Sequence, residues 1–401
     1  MGDESSEGTI VILGVPRDAT AGETRVPVVP RSVAELTRLG AEVRIEAGAG
    51  VAAGHRDDDY AAAGAQVAPE RAELLAASDV LFVLHPPDAA TAAGLREGAA
   101  VVGLLEPLSR PEAARILAER GATAFALELL PRITRAQPMD VLSSMATVAG
   151  YKAALLAAAQ LGQLYPMLIT AAGTLAPAQV LVVGAGVAGL QAIATSRRLG
   201  AVVTGYDIRP DVKDQVQSLG ARFLELELAT EGAEDAGGYA KAMDEAFYSR
   251  QRELMAGAVA KSDVVITTAA VPGRAAPRLV TAEMVAGMRP GSVIVDLAAE
   301  GGGNCEGTVA GETVSVGGVT ILGPVNLPAS VPRHASQMLA RNFGAFLEHL
   351  IVDGEIALDR DDDIVRDTLL TRGGEVVHPR VAELLGAATP SPQESPTEGE
   401  T

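Results

Sequence analysis

Along this chain, short β-branched runs alternate with longer stretches whose apolar residues recur every three to four positions, which predicts strands alternating with helices. The apolar run 9–15 ends at Pro16, and a helical pattern through 33–39 stops at Gly40 before a strand at 42–46. A helix at 69–77, strands at 80–84 and 100–104, a helix at 111–120 and a strand at 123–128 continue the rhythm. Alternation at this spacing implies a parallel sheet. A long helix over 141–160 then leads into a second series of strands at 179–183, 202–207, 263–267, 293–296 and 320–323.

The expected fold class is therefore α/β, with two Rossmann-like, doubly wound parallel-sheet domains. Residues 1–140 form the first, completed by about 330–387, and 141–329 form the second. The connection is a helix rather than a Gly/Ser linker, so the domains are expected to pack with a ligand-holding cleft between them. A helix at 336–350 precedes hairpin-like runs that return to the first domain or reach a neighbouring subunit. The tail 388–401 is Pro, Ser, Thr and Glu with almost nothing apolar, and is expected to be disordered.

Composition narrows the chemistry. With 48% apolar and 3% aromatic residues and no tryptophan, the cores must be built from Ala, Val and Leu. A formal net charge of -19 argues against nucleic acid or an anionic membrane as partner. Cys305 is the only cysteine and the histidines are scattered, so neither a disulfide nor a metal cluster is expected. The N-terminus lacks the basic start and apolar run of a secretory signal, which fits the cytoplasm. Residues 153–196 carry no charge, but Gln160, Gln163, Pro166, Gly173 and Pro177 interrupt the run, which argues against a transmembrane helix.

The second half of that uncharged stretch carries the sharpest signal. Val180-Leu181-Val182-Val183 runs directly into Gly184-Ala185-Gly186-Val187-Ala188-Gly189 and then a helical pattern over 190–199, a dinucleotide fingerprint in its proper context. Gly184 permits the tight turn, Gly186 lets a pyrophosphate approach the backbone, and Gly189 lets helix and strand pack closely. Asp207 ends the next strand, where a carboxylate accepts from the adenosine ribose hydroxyls and repels a 2′-phosphate, so NAD(H) is favoured over NADP(H). Arg209 complicates that choice, because a guanidinium near the ribose could hold the phosphate.

Four further stretches resemble the NAD(H)-binding domain of proton-translocating nicotinamide nucleotide transhydrogenases. Arg132-Ile133-Thr134-Arg135-Ala136-Gln137-Pro138-Met139-Asp140-Val141-Leu142-Ser143-Ser144 is similar to the loop that covers the nicotinamide ring. Residues 236–243, containing Tyr239 and Met243, resemble that family's mobile loop; 271–274 and the run 296–305 resemble its later glycine-bearing turns. The similarity extends from about Val11 to Val381. It implies that Arg132, Gln137, Asp140 and Ser143 position the ring, and that Ile208, Thr268, Ala269 and Ala270 line the cofactor beside the glycine turn. Tyr239 and Met243 would close over bound NAD(H). It also implies a homodimer working with a membrane-embedded partner that carries NADP(H) and the proton channel. Hydride transfer between nicotinamides needs positioning and exclusion of water rather than an acid or base, which suits that residue set.

Two other readings share the fold. Alanine dehydrogenase needs a lysine and a histidine in the first domain, but this sequence has His85 at the lysine position and Leu105 or Glu106 near the other. Arg25 matches a substrate-binding arginine of that enzyme and reads here as a relic of the fold. His334 either caps the helix after it or faces the cleft. The remaining possibility is a sensor that binds NAD(H) without turning it over, which would have no use for the ring-positioning set.

Overall fold

The computed structural model describes residues 11–226, 245–270, 273–352, 355–356, 358 and 361–386. They fall into two compact units, one drawn from within Met1–Val141 and Ser336–Thr401, the other from Leu142–Ala335.

The first unit is built on β1 (Val11–Val15), β2 (Ala41–Glu46), β3 (Gln66–Ala68), β4 (Val80–Val83), β5 (Ala100–Gly103) and β6 (Thr123–Ala126). These six strands are parallel in the order β3-β2-β1-β4-β5-β6, the doubly wound arrangement. β4 and β5 are buried along their whole length, which is why they read as unbroken apolar runs rather than alternating ones.

The second unit opens with an antiparallel pair, β7 (Leu168–Thr170) and β8 (Gly173–Leu175), all of whose residues are exposed. Its sheet comprises β9 (Gln179–Val183), β10 (Val202–Tyr206), β11 (Arg222–Phe223), β12 (Val264–Thr267), β13 (Val293–Asp296), β14 (Thr313–Val316) and β15 (Val319–Leu322). The order is β11-β10-β9-β12-β13-β15-β14, parallel except for the β14 edge. One face packs Val180, Val182 and Val264 against Ala153, Ala154, Ala157, Ala192 and Ile193; the other packs Leu181, Val265 and Ile294 against Met255, Val259, Met284 and Val285.

The chain then returns to the first unit. The helix Pro332–Leu350 lays Phe343 edge-on to Phe82 at 4.9 Å and Phe346 against Phe125 at 5.7 Å, geometries that aromatic rings favour. A short antiparallel pair follows, β16 (Ile351–Val352) with β17 (Glu355–Ile356). β18 (Leu369–Arg372) then adds antiparallel to β6, and β19 (Glu375–Val376) completes an eight-stranded sheet. Of the two destinations open for these runs, β18 and β19 take the chain's own first sheet, while β16 and β17 form a separate two-stranded sheet.

Val141–Gln160 is, among the described residues, the one helix long and apolar enough to cross a membrane by length and composition. Its apolarity has a local explanation in the alanines it buries in the second unit's core. Gly150 brings it very close to the helix Val187–Arg198: a Cβ at 150 would lie 2.0 Å from the Ala188 carbonyl oxygen.

Candidate dinucleotide site

β9 delivers the chain to Gly184 with φ +97, a left-handed conformation that glycine adopts without steric cost. A Cβ there would also sit 2.5 Å from Thr268 Oγ1, whose hydroxyl donates to the Gly184 carbonyl at 3.1 Å. Gly189 is needed for a different reason, because a Cβ on it would overlap the Gly184 carbonyl oxygen at 1.8 Å. Gly186 is different again. No atom lies nearer its Cβ position than Arg209 Nη2 at 3.9 Å, so the space there is open, and a side chain would fill it without disturbing the protein. The helix Val187–Arg198 begins at the next residue, so its unpaired amides and positive dipole end meet this opening. An anion such as a pyrophosphate fits a cradle of this kind.

Asp207 follows β10 and is buried, with four donors on its two oxygens. Oδ2 accepts from the Ala185 amide at 2.7 Å and from Arg209 Nη2 at 2.9 Å. Oδ1 accepts from the Arg209 amide at 2.9 Å and from Arg209 Nε at 2.9 Å. The guanidinium left open by the sequence is therefore engaged with Asp207 rather than projecting toward a phosphate. Ile208 is half-buried beside the pair.

After β12, Thr268 and Ala269 are half-buried and Ala270 is exposed. The backbone of Ala269 is clamped by the fully buried side chain of Asn304, which accepts from its amide at 3.0 Å and donates to its carbonyl at 2.8 Å. Asn304 also donates to the Pro277 carbonyl at 2.9 Å. Buried Asp296 holds the run before it, accepting from Thr267 Oγ1, Thr308 Oγ1 and the Cys305 amide. Burial first, and the nearby Asp296 charge second, push the Cys305 thiol up to about 12, so it stays protonated and inert. The sequence pattern picks out the glycine-rich run that ends in Asn304 but assigns that residue no role.

Within the first unit, Thr134–Met139 forms a 3-10 turn that buries Ala136 and Met139 and leaves Arg132 and Gln137 exposed. Asp140 and Ser143, at the start of the long helix, are half-buried. The turn is fixed on both sides of Gln137. Asn342 Nδ2 donates to the Pro138 carbonyl at 2.7 Å, and Arg135 pairs at 2.7 Å with Asp362, which also caps the helix Asp363–Thr368. Sequence reasoning missed both anchors, since each lies more than 200 positions away. Tyr239, Met243, Val271 and Pro272 lie outside the described residues.

The first sheet has its own opening at the carboxyl ends of β1 and β4, a cavity of about 320 Å³ lined by Asp18, Arg25, Phe82, His85 and Pro86 among others. Buried Glu23 grips Arg25 through Nε at 2.8 Å and Nη2 at 2.6 Å. His85 Nδ1 lies 2.9 Å from Asp18 and Nε2 3.7 Å from Glu23. Burial alone would lower the His85 pKa, but the hydrogen bond and charge of Asp18 outweigh it and the net shift is upward. His334 lies in the first turn of its helix and is exposed.

Residues 14–149 match the N-terminal domain of alanine dehydrogenase/PNT, and residues 153–379 match its C-terminal domain. The chain belongs to the alanine dehydrogenase/PNT family. Within this family it is 44% identical to an NAD(P) transhydrogenase subunit alpha polypeptide of Rhodospirillum rubrum, over 92% of this chain and 98% of that protein. A solved transhydrogenase from Sinorhizobium meliloti superposes with a TM-score of 0.81 at 44% identity, covering 92% of this chain and 99% of that one. Alanine dehydrogenase of Mycobacterium tuberculosis is 33% identical over 95% of this chain and 98% of its own. The alanine dehydrogenase/PNT fold, an oxidoreductase fold with two Rossmann-like domains, is thus the one expected from the strand pattern, and the transhydrogenase branch is the nearer of the two.

Proposed function

We propose that this chain is the NAD(H)-binding subunit of a proton-translocating NAD(P) transhydrogenase. The observation that carries the reading is the open cradle at Gly186, with a helix N-terminus on one side and Asp207 on the other, in a chain this similar to transhydrogenase alpha subunits. When bound, the nicotinamide supplies the hydride. The chain's own residues bind and orient it: the amides after Gly186 hold the pyrophosphate, Asp207 accepts from the ribose, and Ile208, Thr268, Ala269 and Ala270 line the cofactor. Arg132, Gln137, Asp140 and Ser143 position the ring so that its reactive face meets NADP+ carried by a partner domain. Positioning of that kind is the main contribution a protein makes to this reaction. Tyr239 and Met243 supply apolar cover.

The partner is a membrane-embedded subunit with the NADP(H) domain and proton channel, which would place this chain at the cytoplasmic face of the inner membrane. A homodimer is included in the proposal. In a chain with a net charge of -19, the exposed β7–β8 pair lies in a stretch without charged residues and displays Met167, Ile169 and Leu175. Such a surface allows two copies to meet without like-charge repulsion.

The test uses the purified chain mixed with a transhydrogenase NADP(H) domain. NADH should reduce an NADP+ analogue only when both are present, and Gln137→Asn should lower that rate at least tenfold with NADH affinity unchanged. A large affinity loss with normal turnover would refute the role given to Gln137. A cavity holding Arg25 and His85 is the one observation favouring a keto-acid dehydrogenase, so pyruvate with ammonia belongs in the same assay. Turnover there and none with NADP+ would reverse the assignment.

A further inference from the structure

The acceptor capacity of Asp207 is full. A carboxylate offers about four acceptor positions, and here two are taken by the Ala185 and Arg209 amides and two by the Arg209 guanidinium. The two amides are fixed by the turns they belong to. The two side-chain donors are carried on a long side-chain stem instead, with Nη2 3.9 Å from the Cβ position of Gly186. A ribose also offers two donors, its 2′ and 3′ hydroxyls. On the reading of the site as an NAD(H) site, we infer that Arg209 is an internal stand-in for the ribose diol: its two N–H donors hold the carboxylate until the two hydroxyls replace them one for one.

Cofactor choice is affected in two ways. The stand-in lowers NAD(H) affinity, because each binding event must first break a paired, largely buried guanidinium–carboxylate contact. It also makes Arg209 unsuited to hold a 2′-phosphate. A phosphorylated 2′ oxygen has no proton to give Asp207, and moving the guanidinium to the phosphate would leave the carboxylate two donors short beside a second anion. Arg209 therefore acts with Asp207 in rejecting NADP(H), rather than against it.

The experiment compares NADH and NADPH binding to the full-length chain and to Arg209→Ala and Arg209→Lys, with folding checked by circular dichroism. Arg209→Ala should tighten NADH binding about tenfold, and Arg209→Lys by less, since an ammonium cannot supply the fork. NADPH binding should stay absent in all three. Unchanged or weaker NADH binding by the folded Arg209→Ala chain overturns the inference, and so does NADPH binding to the unsubstituted chain that is lost with Arg209. Failure of the unsubstituted chain to bind NADH overturns the site assignment instead, which keeps the two outcomes apart.

Discussion

In both sheets the first strand lies between the second and the fourth, and in both the turn after it is tied to a carboxylate that follows the second strand's core pairing. Val15 pairs with Ile45 and the Arg17 amide donates to Glu46 at 2.8 Å; Val183 pairs with Tyr206 and the Ala185 amide donates to Asp207 at 2.7 Å. Each carboxylate also holds an arginine, Arg71 in one case and Arg209 in the other. The correspondence extends to the strand starts, where Asp79 accepts from Ile12 and Asp263 from Gln179. What differs is the turn. After Val183 come Gly184, Gly186 and a helix that starts at Val187, whereas after Val15 come Pro16 and a long excursion before the helix Pro30–Arg38. The topology is shared, so the proposed nucleotide site rests on the turn after Val183 rather than on the sheet.

The matched carboxylates give the strongest way to break this comparison. Asp207→Ala should weaken NADH binding on the order of a hundredfold, while Glu46→Gln should leave it within about twofold. Titration of NADH fluorescence decides it, and equal losses at both positions would mean the two sheets are not functionally distinct. The glycines sharpen the contrast within the cradle. Gly186→Ala should fold normally yet bind NADH about tenfold more weakly, since only the ligand's space is filled. Gly189→Ala should cost about 1–3 kcal/mol of stability in urea unfolding, because its methyl group meets the Gly184 carbonyl.

A smaller, pH-dependent effect tests how the first sheet closes its strand ends with protein groups. Glu128 is turned inward after β6, accepting from the Glu106 amide at 2.6 Å, and burial pushes its carboxyl from 4.5 up to about 7. Folding therefore favours the protonated form: its contribution is fully present below about pH 4.5 and is lost as the pH rises through about 7. Glu128→Gln should be more stable than the unsubstituted chain by up to about 3 kcal/mol at pH 8, with the advantage gone near pH 4.5. Thermal melts across that range measure it, and a pH-independent difference would show that the carboxyl is not held protonated.

Most of the sheet was legible because its strands are buried on both faces and read as uninterrupted apolar runs; residues 179–183 and 293–296 carry the bounds expected of them. Where the observed bounds differ, local chemistry explains it. The strand expected over 123–128 stops at Ala126 because the chain turns through Leu127–Leu129, carrying Glu128 back toward Glu106. The helix expected from 190 begins at Val187, since a glycine required for close packing sits within its first turn. The pair β7–β8 and the edge strand β14 gave little signal because they are largely exposed and only three or four residues long, whereas β15 lies where the strand at 320–323 was expected. At the site, the tight turn at Gly184 and the close packing at Gly189 followed from spacing alone. Asn304 did not, because its amide meets a backbone 35 positions away and nothing local announces the pairing. The Arg209 side chain was equally undecided, since two residues of separation allow it to face Asp207 or a ligand.

The contact between Gly150 and the Ala188 carbonyl gives the long helix a second duty. Two main chains touch there with no side chain to absorb error, so even one added methyl group would be passed on as displacement of the first turn beside Gly186. Position 150 is thus an alignment pin for the helix-start amides proposed to hold the pyrophosphate, set far from them in sequence.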